Sequence, residues 1–111
     1  MNTNTTTWID AAAEADLWEG AGVGVVVEGR DIGLFKVGGA VYAIDNLCTH
    51  GQARLCDGFV DDFDVECPLH QGRFDLRTGE ATCGPAIDPV RCYPLRIEGG
   101  RVLLQLGDHP L

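Results

Sequence analysis

No run of apolar residues in this 111-residue chain approaches the roughly 18 that a membrane-spanning helix requires, so no span is expected. Basic residues are scarce. Eight Lys and Arg stand against 17 Asp and Glu, a formal net charge of −9, and the eight form no cluster. Phosphate backbones and anionic lipid surfaces are bound by grouped cations, which sets nucleic acid and the membrane aside as partners. The acid surplus keeps a small domain dissolved, and it also suits a partner with a basic docking face. The opening MNTNTTTW lacks the basic segment and apolar stretch of a secretory signal. Residues 1–6 read as a flexible lead-in, and residues 107–111, with His109, as a tail. Five cysteines is an odd number. Without a secretory leader it argues against a disulfide scaffold and for a reducing cytoplasm, where clustered Cys and His serve metal or redox chemistry. Internal repeats, coiled-coil heptads and low-complexity linkers are also missing, and the length allows one domain, residues 1–111.

What the chain has instead is glycine, 15 residues of it, between short and often β-branched apolar runs. Trp8–Ala11, Val23–Glu28, Ile32–Val37, Ala40–Ile44, Phe59–Val60, Val65–Cys67, Phe74–Leu76, Val90–Ile97 and Val102–Leu106 read as strands. Turns are expected at Gly29-Arg30, Gly38-Gly39, Asp61–Asp64, Arg77–Gly79 and Gly99-Gly100. Ala12–Trp18 is the one segment with a helical pattern. Trp8, Trp18, Tyr42, Phe35 and Phe59 are expected to pack, and Asp61, Asp62 and Asp64 to form a solvated turn. So many short strands predict an antiparallel all-β domain, a sandwich or small barrel.

Two loops between strands carry the chemistry. Residues 48–50 read Cys-Thr-His and are followed by Gly51; residues 67–70 read Cys-Pro-Leu-His and are followed by Gln71-Gly72. The pattern is C-x-H, sixteen residues, then C-x-x-H. Two thiolates on one iron and two imidazoles on the other make a Rieske [2Fe-2S] centre, and each loop offers one ligand of each kind. Facing loops could bring Cys48 and Cys67 to one iron and His50 and His70 to the other. Glycines after the histidines would let backbone N–H groups approach the sulfurs. Zinc also accepts two Cys and two His, but its structural sites usually pair C-x₂₋₄-C with H-x₃₋₅-H. A catalytic Cys–His dyad leaves the second pair unexplained.

The segments DNLCTHGQARLCDG and ECPLHQGRFDLRTGEA resemble the Rieske family, and more closely the Rieske-type ferredoxins of bacterial aromatic-ring-hydroxylating oxygenase systems. The resemblance covers roughly residues 7–106. It implies stacked antiparallel sheets with a two-loop cluster-binding subdomain, one cluster held by Cys48, His50, Cys67 and His70, and a third loop, Cys83–Ala86, with Pro85 as a lid. It also implies a monomeric, non-catalytic carrier. An NADH-dependent flavoprotein reductase would load it and a terminal oxygenase would discharge it. A small nitrite-reductase-like subunit and a zinc-stabilised interaction module remain as alternatives.

The sequence departs from the respiratory members, which have an extra disulfide and hydroxyl groups bonding to sulfur. Leu69 stands at one extra-cysteine position, Cys56 lies beyond the other, and Gly72 and Phe74 replace the serine and tyrosine. Fewer bonds to the sulfurs predict a midpoint at the low end of the roughly −150 to +300 mV spanned by such centres. Cys56, Cys83 and Cys92 read as small apolar packing residues, with a Cys56–Cys83 disulfide left open.

Overall fold

The computed structural model describes residues 7–49, 53–69, 72–83 and 88–107. The lead-in at 1–6, His50, Gly51, His70, Gln71, the Pro85 lid and His109 lie outside the described residues. The strands are β1 (Ile9–Ala13), β2 (Gly22–Val27), β3 (Arg30–Val37), β4 (Ala40–Asp45), β5 (Phe59–Asp61), β6 (Asp64–Glu66), β7 (Arg73–Asp75), β8 (Ala81–Cys83), β9 (Cys92–Tyr93), β10 (Leu95–Glu98) and β11 (Arg101–Leu104). They form three antiparallel sheets, ordered β1-β11-β10, β2-β3-β4-β9 and β5-β6-β7-β8. The all-β expectation holds. Among the described residues no helix is long and apolar enough to cross a membrane.

Two-residue turns set the hairpin registers. Glu28-Gly29, Gly38-Gly39 and Gly99-Gly100 all have positive φ at both positions, the backbone that matches strand twist in tight hairpins. The first of these turns lies one residue earlier than the sequence suggested, because Arg30 already pairs with Val27.

The helix expected at Ala12–Trp18 is absent. Ala12 and Ala13 continue β1 and pair with Val102 and Arg101, leaving only Glu14–Asp16 to make a 3₁₀ turn. Pairing with β11 satisfies the alanine backbone, and the remainder is too short to repay helix nucleation. Trp18 and Phe59 are also not core residues, being 73% and 66% exposed. Leu17 is the residue that turns inward after the 3₁₀ segment, and Phe59 sits on an edge strand of its sheet. Phe35 is fully buried as expected.

The middle sheet is buried on both faces. Ile32, Leu34, Ala43 and Tyr93 face one core with Val102, Leu104 and Leu106; Phe35, Val37 and Ile44 face the other with Leu55, Val65, Phe74, Leu76 and Val90. Side chains alternate along a strand, so Leu34 and Phe35, or Ala43 and Ile44, divide between the two cores. The second core joins the middle sheet to the β5–β8 sheet, and it contains Cys48 and Cys67.

The alternation in β2, Gly-Val-Gly-Val, has its cause here. A Cβ on Gly22 would lie 2.5 Å from the Phe35 ring, and one on Gly24 would lie 2.6 Å from Arg54 Nη2 and 3.0 Å from both Asn46 Nδ2 and Cys56 Sγ. The glycines clear the face on which the Cys56 turn rests. Gly24→Ala should therefore cost about 1–3 kcal/mol in urea unfolding. An unchanged unfolding midpoint would mean that these neighbours retreat without penalty.

Candidate metal centre

Both cysteine loops are hairpins that narrow toward a tip. In the first, Asn46 C=O accepts from Leu55 N–H at 2.6 Å, Leu47 bridges Arg54, and Cys48 N–H donates to Ala53 C=O at 2.9 Å. In the second, Glu66 pairs with Arg73 and Cys67 N–H donates to Gly72 C=O at 2.7 Å. Each cysteine thus closes the root of a four-residue tip, 49–52 in one loop and 68–71 in the other. Unequal spacing in the sequence, C-x-H and C-x-x-H, falls on loops of equal length.

Burial changes sharply at these roots. Cys48 is 3% exposed and Cys67 is fully buried, both within one core, whereas Thr49, Pro68 and Leu69 are exposed. Both thiol-bearing residues lie in apolar surroundings, and the described residues that follow each of them face solvent. Two buried thiols in one core fit the sulfur-ligated iron of a centre whose other iron is nitrogen-ligated. The structure brings Cys48 and Cys67 together in that core; His50 and His70 lie outside the described residues. Among the described residues there is no group of three or more Cys, His, Asp or Glu placed to hold a metal ion.

The loops are tied to each other and to the third loop. Gly58, just after the first hairpin, approaches the residue preceding Cys67 so closely that a Cβ would meet Glu66 O at 2.0 Å. Thr49 Oγ1 donates to Asp88 C=O at 2.8 Å, linking the start of the first tip to the chain before β9. Arg73, the residue after Gly72, reaches Asp61 at 2.7 Å, Glu66 at 3.5 Å and Asp64 at 3.9 Å. The acidic turn is therefore solvated on one side and held by this guanidinium on the other.

Cys56 and Cys83 are free thiols, so the disulfide left open by the sequence is not formed. Cys56 is half-buried beneath Asn46, and Cys83 is exposed on β8. Cys92 packs against the core, and burial raises its thiol pKa.

Asn46 is a structurally distinctive residue beside the first loop that sequence reasoning missed. It is fully buried, and it is the one buried polar residue among those described. Its side chain donates to Asp31 Oδ1 at 3.0 Å and to Cys56 Sγ at 3.2 Å, and accepts from Cys56 N–H at 2.8 Å. Its backbone N–H donates to Asp31 C=O at 3.0 Å. Asp31 also pairs with Arg54 at 3.2 Å. The Asn46 hydrogen bond, and then Arg54, hold the Asp31 carboxyl below its ordinary pKa, against partial burial. The unfolded chain binds that proton more readily, so the stabilisation is complete above about pH 4 and is lost as pH falls through the lowered value. Asp31→Asn should lower the urea midpoint at neutral pH and flatten its acid dependence below about pH 4. Parallel pH curves for variant and parent would contradict this.

A Rieske [2Fe-2S] domain profile matches residues 7–94. The chain is 52% identical over 102 residues to the Pseudomonas aeruginosa protein named as the ferredoxin component of a naphthalene 1,2-dioxygenase system, covering 92% of this chain and 98% of that one. Among solved structures, the ferredoxin of carbazole 1,9a-dioxygenase from Nocardioides aromaticivorans superposes with a TM-score of 0.85 at 38% identity, covering 89% of this chain and 97% of that one. A structure described as a complex of reduced oxygenase and oxidised ferredoxin in carbazole 1,9a-dioxygenase gives 0.82 at 30% identity, covering 88% and 92%. With the profile spanning most of the residues and both hairpin loops inside it, the chain belongs to the Rieske [2Fe-2S] domain family.

Proposed function

We propose that this chain is the ferredoxin of an aromatic-ring-hydroxylating dioxygenase system, a single domain over residues 1–111 holding one [2Fe-2S] cluster. Cys48 and Cys67 are its ligands on one iron, and His50 and His70 on the other. The observation that carries the ligand assignment is the pair of buried cysteines at the roots of two equal hairpins. The carrier role is supported by identity to dioxygenase ferredoxin components over nearly their whole length.

When bound, the cluster takes up one electron and later returns it, and no substrate bond is broken on this chain. The protein's own groups make that exchange possible. Cys48 and Cys67 would hold the cluster from inside the core, where burial keeps water from the sulfurs. Beside the cysteines Leu47 and Leu69 are exposed, at 51% and 63%. A partner meets the tips rather than the buried side. One partner is an NADH-dependent flavoprotein reductase and the other a terminal oxygenase. Contacts of this kind are small and transient, bury less than about 1,200 Å², and leave the ferredoxin a monomer between encounters. The free thiols at Cys56, Cys83 and Cys92 suit a reducing cytoplasm.

The test is reconstitution. Purified protein should contain two irons and two acid-labile sulfides per chain, show the spin signal of a mixed thiolate–imidazole centre, and relay electrons from NADH through a ferredoxin reductase to a ring-hydroxylating oxygenase. A colourless zinc protein would overturn the ligand set. A correct cluster that no reductase–oxygenase pair will use would overturn the carrier role.

A further inference from the structure

The two cysteine hairpins rest on different foundations. The second continues a sheet ladder: Glu66 and Arg73 pair as members of β6 and β7, and the loop rises directly from them. The first has no such ladder beneath it. Its two arms diverge below Leu47 and Arg54, one into β4 and the other into the 3₁₀ turn Leu55–Asp57. The gap is filled by Asn46. Its backbone C=O and its side-chain oxygen hold the N–H groups of Leu55 and Cys56 on the returning arm, at 2.6 and 2.8 Å. Its amide nitrogen and its backbone N–H hold Asp31 on β3, at 3.0 Å each. The side-chain oxygen and both amide hydrogens are matched to a partner, and the residue has no exposed surface.

We infer that Asn46 is a positioning residue for the cluster: it fastens the first hairpin, and so Cys48, to the central sheet at the spacing set against the second hairpin. The inference rests on the ligand assignment proposed above. Asp31 acts with Asn46, since it anchors the amide on β3 and through Arg54 grips the same returning arm from outside. Gly24 and Gly33 leave the room required: a Cβ there would come within 3.0 Å of Asn46 Nδ2 and 2.9 Å of Asn46 Oδ1. A buried polar network that is completely satisfied specifies one geometry; with one member removed, the remaining N–H groups lose their partner in a dry site. The second hairpin keeps its ladder in either case, so the strain falls on one side of the cluster. Two ligands move relative to the other two.

The experiment compares holo Asn46→Ala and Asn46→Asp with Leu106→Ala, a core truncation on the opposite face of the middle sheet. Three quantities are read: iron release into a chelator, the g-values of the reduced protein, and the midpoint by voltammetry. Both Asn46 variants should release iron about 10- to 100-fold faster than the parent, in the range typical of lost outer-sphere support, with shifted g-values and midpoint. Leu106→Ala should lose thermal stability with g-values and midpoint unchanged. The exchange Asn46→Asp with Asp31→Asn restores an amide–carboxylate contact with donor and acceptor reversed, and should bring the g-values back toward the parent's. This exchange also decides the matter if Asn46→Ala does not fold. Asn46 variants whose iron release, g-values and midpoint match those of Leu106→Ala would overturn the positioning role. A parent protein lacking the mixed-ligand signal would instead overturn the ligand assignment on which the inference stands.

Discussion

Cys67→Ala should yield a colourless protein without iron, and it should unfold in two stages. Cys67 has no exposed surface and lies in the core shared with Cys48, Phe35, Val65 and Phe74. Structural metal sites contribute on the order of 10 kcal/mol, comparable with the whole stability of a small domain. Removing a ligand therefore removes a large share of what holds the β5–β8 sheet, whose strands are three residues each. The other core contains neither cysteine and is built on β1, β2, β3, β4, β9, β10 and β11. Amide exchange should accordingly become fast in residues 53–83 while residues 30–37 and 101–104 keep protection. Cys48→Ala should behave alike. Uniform loss of protection would show that the two cores unfold as one unit, and a variant retaining parental iron would remove Cys67 from the ligand set.

The second large effect is on potential. Gly72 is buried, follows the second loop and accepts from Cys67 N–H at 2.7 Å; Phe74 is fully buried on β7, opposite Val65. Neither can donate a side-chain hydrogen bond to a cluster sulfur. Reduction adds negative charge to the centre, so a donor aimed at a sulfur favours the reduced form. A hydroxyl that strengthens its bond by about 1 kcal/mol on reduction raises a one-electron midpoint by about 40 mV. Gly72→Ser and Phe74→Tyr should each shift voltammetry upward by an amount of that order, from a parental value at the low end of the Rieske range. A clearly positive parental midpoint would contradict the hydrogen-bond account, as would two variants that leave it unmoved.

Much of the fold follows from local chemistry. The hairpins β3–β4 and β10–β11 were legible because Gly38-Gly39 and Gly99-Gly100 are turn chemistry between β-branched runs, and β2–β3 was legible to within one residue, its turn read at Gly29-Arg30 and found at Glu28-Gly29. The helix at Ala12–Trp18 was misread because β1 takes its partner from the far end of the chain, Ile9 opposite Leu104. No window of sequence contains that pairing. The strand β8 went unread for a related reason: Ala-Thr-Cys is too short to carry a pattern and exists because β7 lies beside it. Asn46 reads as an ordinary loop residue, since its five hydrogen bonds reach groups on Asp31, Leu55 and Cys56. The exposure of Trp18 and Phe59 was equally hidden, because aromatic character says nothing about which side of a strand or turn faces water.

The sequence alone determined the chemistry of the centre: two Cys-and-His loops separated by strand-forming runs, glycines for tight turns, and too little positive charge for a phosphate partner. Those are properties of side chains and of neighbours a few residues apart. The tertiary structure decided what surrounds the centre. It assigned the two faces of the middle sheet to separate cores, put both cysteines in one of them, brought the two hairpins close at Gly58, and tied the first hairpin to the middle sheet through Asn46. The physical reason is range. A turn or a ligand pair is encoded within one loop, whereas burial and hydrogen-bond satisfaction depend on groups that only folding brings within reach.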